Sequence, residues 1–290
     1  MSYDRRTLEE IIARYELEPT LRDIYVEGEF DAFLIRWVLH EVGIRDSFVY
    51  EIATVEVPSS LLSDLGVDNN NRGRVVALAH RIAHHLGSQN RQVTLVIDKD
   101  FDSLLGKSHN TDLLLVTDYS SMEMYFFNQW HIQKFLTLVL QEGSLDVPIL
   151  LSHITSILEY LFLLRFANYV RRLNLQWMSF ERCCTYETGG SEIHFDQEDF
   201  ITRYLNKNSA SANKNDILQT IEEYKSRLSS DARLNAHGHD YYALMEWISK
   251  QLKPRCFNNT QSFERAFTGC LEVGRVKNEP LFQKLLQRQT

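Results

Sequence analysis

The chain has 290 residues, 44% of them hydrophobic and 24% charged, with a formal net charge of -8. That length buries a core as one large domain or two modest ones, and the acidic balance, with a sequence pI of about 5.7, excludes a uniform basic coat for polyanions, so any nucleic-acid contact needs a local groove. Cys183, Cys184, Cys256 and Cys270 form no CxxC pair and no zinc spacing, which fits reduced thiols in a cytoplasmic protein.

The charged N-terminus, MSYDRRTLEEIIARYELEP, lacks the apolar core of a signal peptide. Residues 7–15 have the pattern of a short helix, and Ile24 to Val26 that of a first strand. Phe33 with Trp37 and Leu34 with Val38 stand at helical spacing, and Gly43 is a natural stop. SFVYEIATVEV is β-branched and aromatic and predicts a second strand; VDNNNRG predicts a polar loop and 74–87 a helix. QVTLVIDKD and DLLLVTDYSSMEMYF are apolar runs that end on acids, the second continuing into a helix at 120–128. Apolar runs separated by helices indicate parallel strands covered on both faces. Residues 20–128 therefore predict an α/β unit of at least four strands.

Beyond residue 130 the pattern turns helical, over 131–141, 147–172, 213–229 and 240–252, with a strand pair in LQWMSFERCCTYE and SEIHFD and a flexible polar loop at 206–216. VPILLSHITSILEYLFLLRFANYV contains His153, Glu159 and Arg165, which predicts a buried or interface helix and not a membrane span. The expected division is 1–130 and 131–290.

In open parallel sheets, sites lie beyond the carboxyl ends of the strands. Glu27, Asp98, Asp100, Asp118 and Glu123 all fall there. Asp98 and Asp100 point the same way if the backbone stays extended, and Glu27 joins them if the first and third strands are neighbours. Converging carboxylates resist ionising together; a Mg²⁺ or Mn²⁺ ion removes that conflict and prefers oxygen ligands. Other readings stand beside this one. Glu29 and Asp31 suit a helix start, Asp102 suits a turn, and Asp118 and Glu123 suit the cap and first turn of the helix at 120–128. Lys99, between the two aspartates, points away from them by strand alternation.

VEGEFD together with LVIDKDFD resembles the Toprim signature, a glutamate and glycine after the first strand and an Asp-x-Asp after a later one. TDYSSMEMYFFN and HGHDYYALMEWI further resemble a bacterial branch of stand-alone Toprim-like nucleases, related to overcoming-lysogenization-defect nucleases, that includes the nuclease effector of PARIS anti-phage systems. The resemblance implies a Rossmann-like, mainly parallel sheet with an appended helical region, and metal-dependent phosphodiester hydrolysis. It assigns Glu27 to proton handling or metal, Asp98 and Asp100 to metal, with Glu123 and Asp118 as the further acidic positions. It also implies an ABC-type ATPase partner, transfer RNA as the favoured substrate and a homodimer when active. The glycine that often follows Asp-x-Asp closely is delayed to Gly106, and no zinc ribbon of a primase is present. Two rivals are a non-catalytic binding subunit of the same fold and a topoisomerase-like DNA factor.

Other motifs have plainer readings. His80 and His84 stand one turn apart without the glutamate of HExxH. In HGHD, Asp240 suits a helix cap beside His237 and His239. Arg72, Arg74, Arg171 and Arg172 suit solvated helix faces.

Overall fold

The computed structural model describes residues 5–109, 111–187 and 189–289. The chain forms two compact units, one of Met1–Lys99, Lys107–Asp118 and Glu272–Thr290, the other of Asp100–Gly106 and Tyr119–Leu271. It passes from one unit to the other at four points, where the composition alone suggested one change near residue 130.

In the first unit β1 (Arg6–Thr7) leads into α1 (Leu8–Leu17), followed by β2 (Asp23–Val26), α2 (Glu29–Glu41), β3 (Val49–Glu51), β4 (Val55–Glu56), α3 (Ser59–Asp64), α4 (Asn71–Leu86), β5 (Val93–Ile97) and β6 (Leu114–Val116). Four strands make one parallel sheet in the order β3-β2-β5-β6. Every residue of β2 and β5 is buried, as a parallel sheet covered on both faces requires. The fold is α/β and Rossmann-like. On α2, Leu34 and Val38 turn inward, while Phe33 stays half exposed, so only one of the two pairs marks the core face. Gly43 has φ +85° and ends that helix region as expected.

The second expected strand divides. SFVYEIATVEV pairs with β2 only over β3, turns through a 3₁₀ segment at Ile52–Thr54, and pairs again as β4, parallel to β1. Strand propensity was right, but β3 is an edge strand, and buried Ile52 anchors the turn that redirects the chain.

The second unit contains α5 (Asp102–Leu105), α6 (Gln129–Lys134), α7 (Val147–Val170), the antiparallel pair β7 (Cys184–Tyr186) and β8 (Ile193–Phe195), then α8 (Gln197–Lys207), α9 (Lys214–Lys225), α10 (Gly238–Leu252) and α11 (Thr260–Gly269). The helix expected at 120–128 is a shorter 3₁₀ turn, Met122–Phe126, with four of its residues buried; no polar face is left to make it amphipathic. The polar segment 206–216 is mostly structured, ending α8, crossing a 3₁₀ turn at Ser211–Asn213 and starting α9. Its exposed face is polar, but Tyr204, Leu205, Ile217 and Ile221 anchor its flanks in the core.

Among the described residues α7 is the one helix long and apolar enough to cross a membrane. Here it is a core helix, packed against α6, α9, α10 and β8. Burying a large aliphatic side chain contributes about 1.5–3 kcal/mol, and α7 buries several, among them Leu150, Ile154, Leu158, Leu161 and Leu164. Arg165 within it is satisfied by Asp240, through Nε at 2.6 Å and a second guanidinium nitrogen at 2.8 Å. The chain then returns to the first unit as α12 (Val273–Val276) and α13 (Pro280–Gln289). There α13 packs on β6, and Ser47 donates to the Gln289 side chain at 2.7 Å.

Candidate functional site

The strand order creates a switch point. From β2 the chain moves outward to β3, and from β5 it moves outward to β6 on the other side. Ligands of open α/β sheets bind at such a point, beyond the carboxyl ends of the strands. Glu27 follows β2 and Asp98 follows β5. The strands are direct neighbours, and the Asp98 backbone N–H donates to Glu27 Oε1 at 2.9 Å. Both residues are only partly buried, so their carboxylates combine a fixed backbone with solvent access.

Two further contacts fix the Glu27-Gly28 turn. Asn71, at the start of α4, donates its side-chain amide to the Glu27 carbonyl at 2.9 Å. Asp31 accepts from the Gly28 N–H at 3.1 Å, the capping role its position at a helix start suggested. Asn71 was hidden in the sequence, because an asparagine in a run of asparagines has the signature of a loop.

Lys99 donates its N–H to Thr117 Oγ1 at 2.9 Å and its ammonium to the Asp118 carbonyl at 2.7 Å. It ties the ends of β5 and β6 together. Asp118 does not cap the segment after it. Its Oδ2 accepts from the Leu281 N–H at 3.0 Å, in the first turn of α13. A partner more than 160 residues away cannot be read from local spacing.

In the second unit Asp100 departs from the extended backbone expected of an Asp-x-Asp continuing a strand. Its φ is +46°, and its N–H donates to the Ser120 carbonyl at 2.7 Å. The left-handed region is uncommon for a residue with a Cβ, though aspartate tolerates it better than most. The alternation argument therefore fails at this pair, since β5 ends before it.

Glu123 lies in the 3₁₀ turn that follows, against the N-terminus of α10. A Cβ at Gly238 would come within 2.1 Å of Glu123 Oε2 and 2.6 Å of Ser121 Oγ. The glycine of HGHD thus permits a close approach that no other residue would. Glu123 Oε1 is 3.8 Å from Nδ1 of His239, whose side chain is exposed. This glutamate and histidine are the pairing that spacing could not reveal. Asp240 does not cap α10; His237 occupies the cap position. The Asp240 carboxylate is buried and holds Arg165 together with Trp177, whose Nε1 donates at 3.0 Å. Burial pulls the His237 pKa down to about 4, with Arg165 adding to the effect, and its Nδ1 has no hydrogen-bond partner among the described residues.

Among the described residues no three His, Cys, Asp or Glu side chains form a ready metal cluster. Mg²⁺ does not require one, because it is commonly held by one or two carboxylates, with water and substrate phosphate completing its shell. Glu27 and Asp98 meet that demand in donor type. The basic residues are less available than a solvated face implies. Arg171 donates to Thr220 at 2.7 Å and pairs with Asp216 at 3.6 Å, and Arg72 lies 3.3 Å from His109.

No family model matches the chain, and no curated protein is detectably similar to it. The functional reading rests on the residues themselves.

Proposed function

We propose that this protein is a Toprim-type, Mg²⁺-dependent nuclease that hydrolyses phosphodiester bonds. We further propose that it serves phage defence in the cytoplasm, cleaving host transfer RNA under the control of an ABC-type ATPase. The reaction is supported chiefly by one observation. Two carboxylate residues stand after adjacent parallel strands at the switch point, joined by the Asp98 N–H to Glu27 hydrogen bond. The substrate and partner follow from the likeness of VEGEFD, LVIDKDFD, TDYSSMEMYFFN and HGHDYYALMEWI to the defence nucleases.

In this reading Glu27 and Asp98, after adjacent strands of the first unit, would hold the cation, and Asp100, Glu123 and Asp118 are the further acidic positions that the resemblance names. Such a cation, when bound, would neutralise charge at the phosphate and lower the pKa of a bound water. The Glu27 carboxylate accepts the proton of the attacking water. Asp98, held by the end of β5, keeps Glu27 in place through its backbone N–H. The P–O bond to the leaving oxygen breaks as the bond to the water oxygen forms, and solvent protonates the leaving oxygen.

The test is cleavage of end-labelled transfer RNA, single-stranded RNA and plasmid DNA with Mg²⁺ or Mn²⁺ by wild type and Glu27→Ala. We expect the variant to keep its fold and lose at least 100-fold in rate, as a general-base loss commonly costs on the order of 10²–10⁴. Undiminished cleavage by the folded variant overturns the reading.

A further inference from the structure

The first unit has a second feature that the strand-end carboxylates do not explain. A cleft of about 530 Å³ opens beside α1 and β3, lined by Arg5, Arg6, Arg14, Phe48 and Tyr50, with Glu10 and Glu18. It lies toward the amino ends of the strands, because Phe48 precedes β3 and its carbonyl accepts from Ile24, in β2, at 2.8 Å. Glu27 follows the opposite end of β2.

The lining is divided between fixed and available groups. Arg14 is fixed by buried Asp23 at 3.2 Å and by the Tyr50 hydroxyl at 3.2 Å. Glu10 turns back on its own helix, accepting from the Thr7 N–H at 2.8 Å. Among the described residues Arg5 and Arg6 have no carboxylate at ion-pair distance, and the Arg6 guanidinium sits 5.2 Å from the Tyr50 ring centroid. Tyr50 is stacked on Tyr25 at 5.4 Å and on Phe48 at 6.3 Å. Phe48 ends this row of rings and is 54% exposed. An exposed phenyl on a rigid aromatic stack, beside the Arg5 guanidinium and an Arg6 guanidinium seated over Tyr50, serves no core. Aromatic faces of this kind stack nucleobases, and arginine forks take phosphate.

We infer that this cleft binds a nucleobase with its adjoining phosphate, the base on Phe48 and the phosphate on Arg5 and Arg6. With Arg14 held by Asp23, Arg5 and Arg6 stand against Glu10 and Glu18 in equal number, so the cleft offers guanidinium forks for one phosphate and no basic field for a long backbone. The same chemistry is presented by a free mononucleotide and by one nucleotide of a single strand. The inference does not rest on the nuclease reading.

The experiment uses the full chain in EDTA, so that cleavage and metal binding are silent. AMP and adenosine are titrated by calorimetry, and a fluorescein-labelled hexa-adenylate by anisotropy, into wild type, Phe48→Ala, Arg5→Gln/Arg6→Gln and Glu27→Gln. We expect Phe48→Ala to weaken AMP and hexa-adenylate about tenfold, the effect of one stacked base. The arginine pair should weaken both ligands while sparing adenosine; an AMP affinity altered as much by Glu27→Gln as by the cleft variants would place the ligand at the strand-end carboxylates and overturn the inference. Binding of AMP as tight as that of hexa-adenylate identifies a mononucleotide site; binding of hexa-adenylate alone identifies a strand site. Failure of the folded wild type to bind either ligand overturns the inference, as does equal binding by wild type and both cleft variants. Phe48 is exposed, so its removal leaves the core intact, and thermal melting of each variant verifies that.

Discussion

Gly238 lacks a side chain where Glu123 occupies the space a Cβ would need, 2.1 Å from Oε2. We expect Gly238→Ala to fold and to displace the Glu123 carboxylate, because a flexible side chain can yield where a backbone cannot. With Glu123 as a further acidic position of the nuclease, the rate falls tenfold or more while thermal stability changes little. A Gly238→Ala protein with full activity removes Glu123 from the site. His237 gives a second expectation. Its folded pKa, about 4, lies below the unfolded value of about 6.5. The unfolded chain therefore takes up the proton first as pH falls. The native state is undiminished above pH 6.5 and loses stability progressively toward pH 4. His237 keeps some solvent contact, so the loss is about 1–2 kcal/mol. Urea unfolding at pH 7 and pH 4.5 should show His237→Gln losing less on acidification than wild type; equal losses would contradict the assignment.

At the scale of elements, α4 does more than cover the sheet. Its cap residue Asn70 accepts from Gly73 at 2.8 Å, and Asn71 reaches the Glu27 carbonyl. A Cβ at Gly73 would lie 1.9 Å from the backbone oxygen of Asp68. Backbone must move, so Gly73→Ala should cost about 1–3 kcal/mol, read by urea unfolding, and should loosen Glu27 through Asn71. An unchanged stability would show that the turn before α4 is softer than its packing implies. The sequence pattern placed most elements well, because β2 and β5 are continuous apolar runs and α2, α7 and α10 have long helical patterns. It erred where a non-local partner decides. The turn inside SFVYEIATVEV follows from β4 pairing with β1. The short 3₁₀ turn at Met122–Phe126 follows from burial on nearly all sides. Helix α8, between the strand pair and the polar segment at 206–216, was not among the expected helices.

At the scale of the whole molecule, Glu27 and Asp98 were legible as candidates because acids after apolar strands are visible in any such sequence. Their adjacency was not, since it depends on β2 pairing with β5 across about 70 residues. Asp118 against α13 and Glu123 against α10 are likewise products of tertiary structure. The first unit is closed by a segment from the far end of the chain, with Arg288 donating to the Asn90 carbonyl at 3.3 Å. The proposal reduces to the claim that the carboxylates after β2 and β5 form a divalent-cation centre. Calorimetric titration of Mn²⁺ into wild type, Glu27→Gln and Asp98→Asn tests it without needing substrate or activator. The account predicts weak, saturable binding by wild type and a loss of at least tenfold in affinity, roughly 1.4 kcal/mol, in each folded variant. Mn²⁺ affinity unchanged by both substitutions would contradict it.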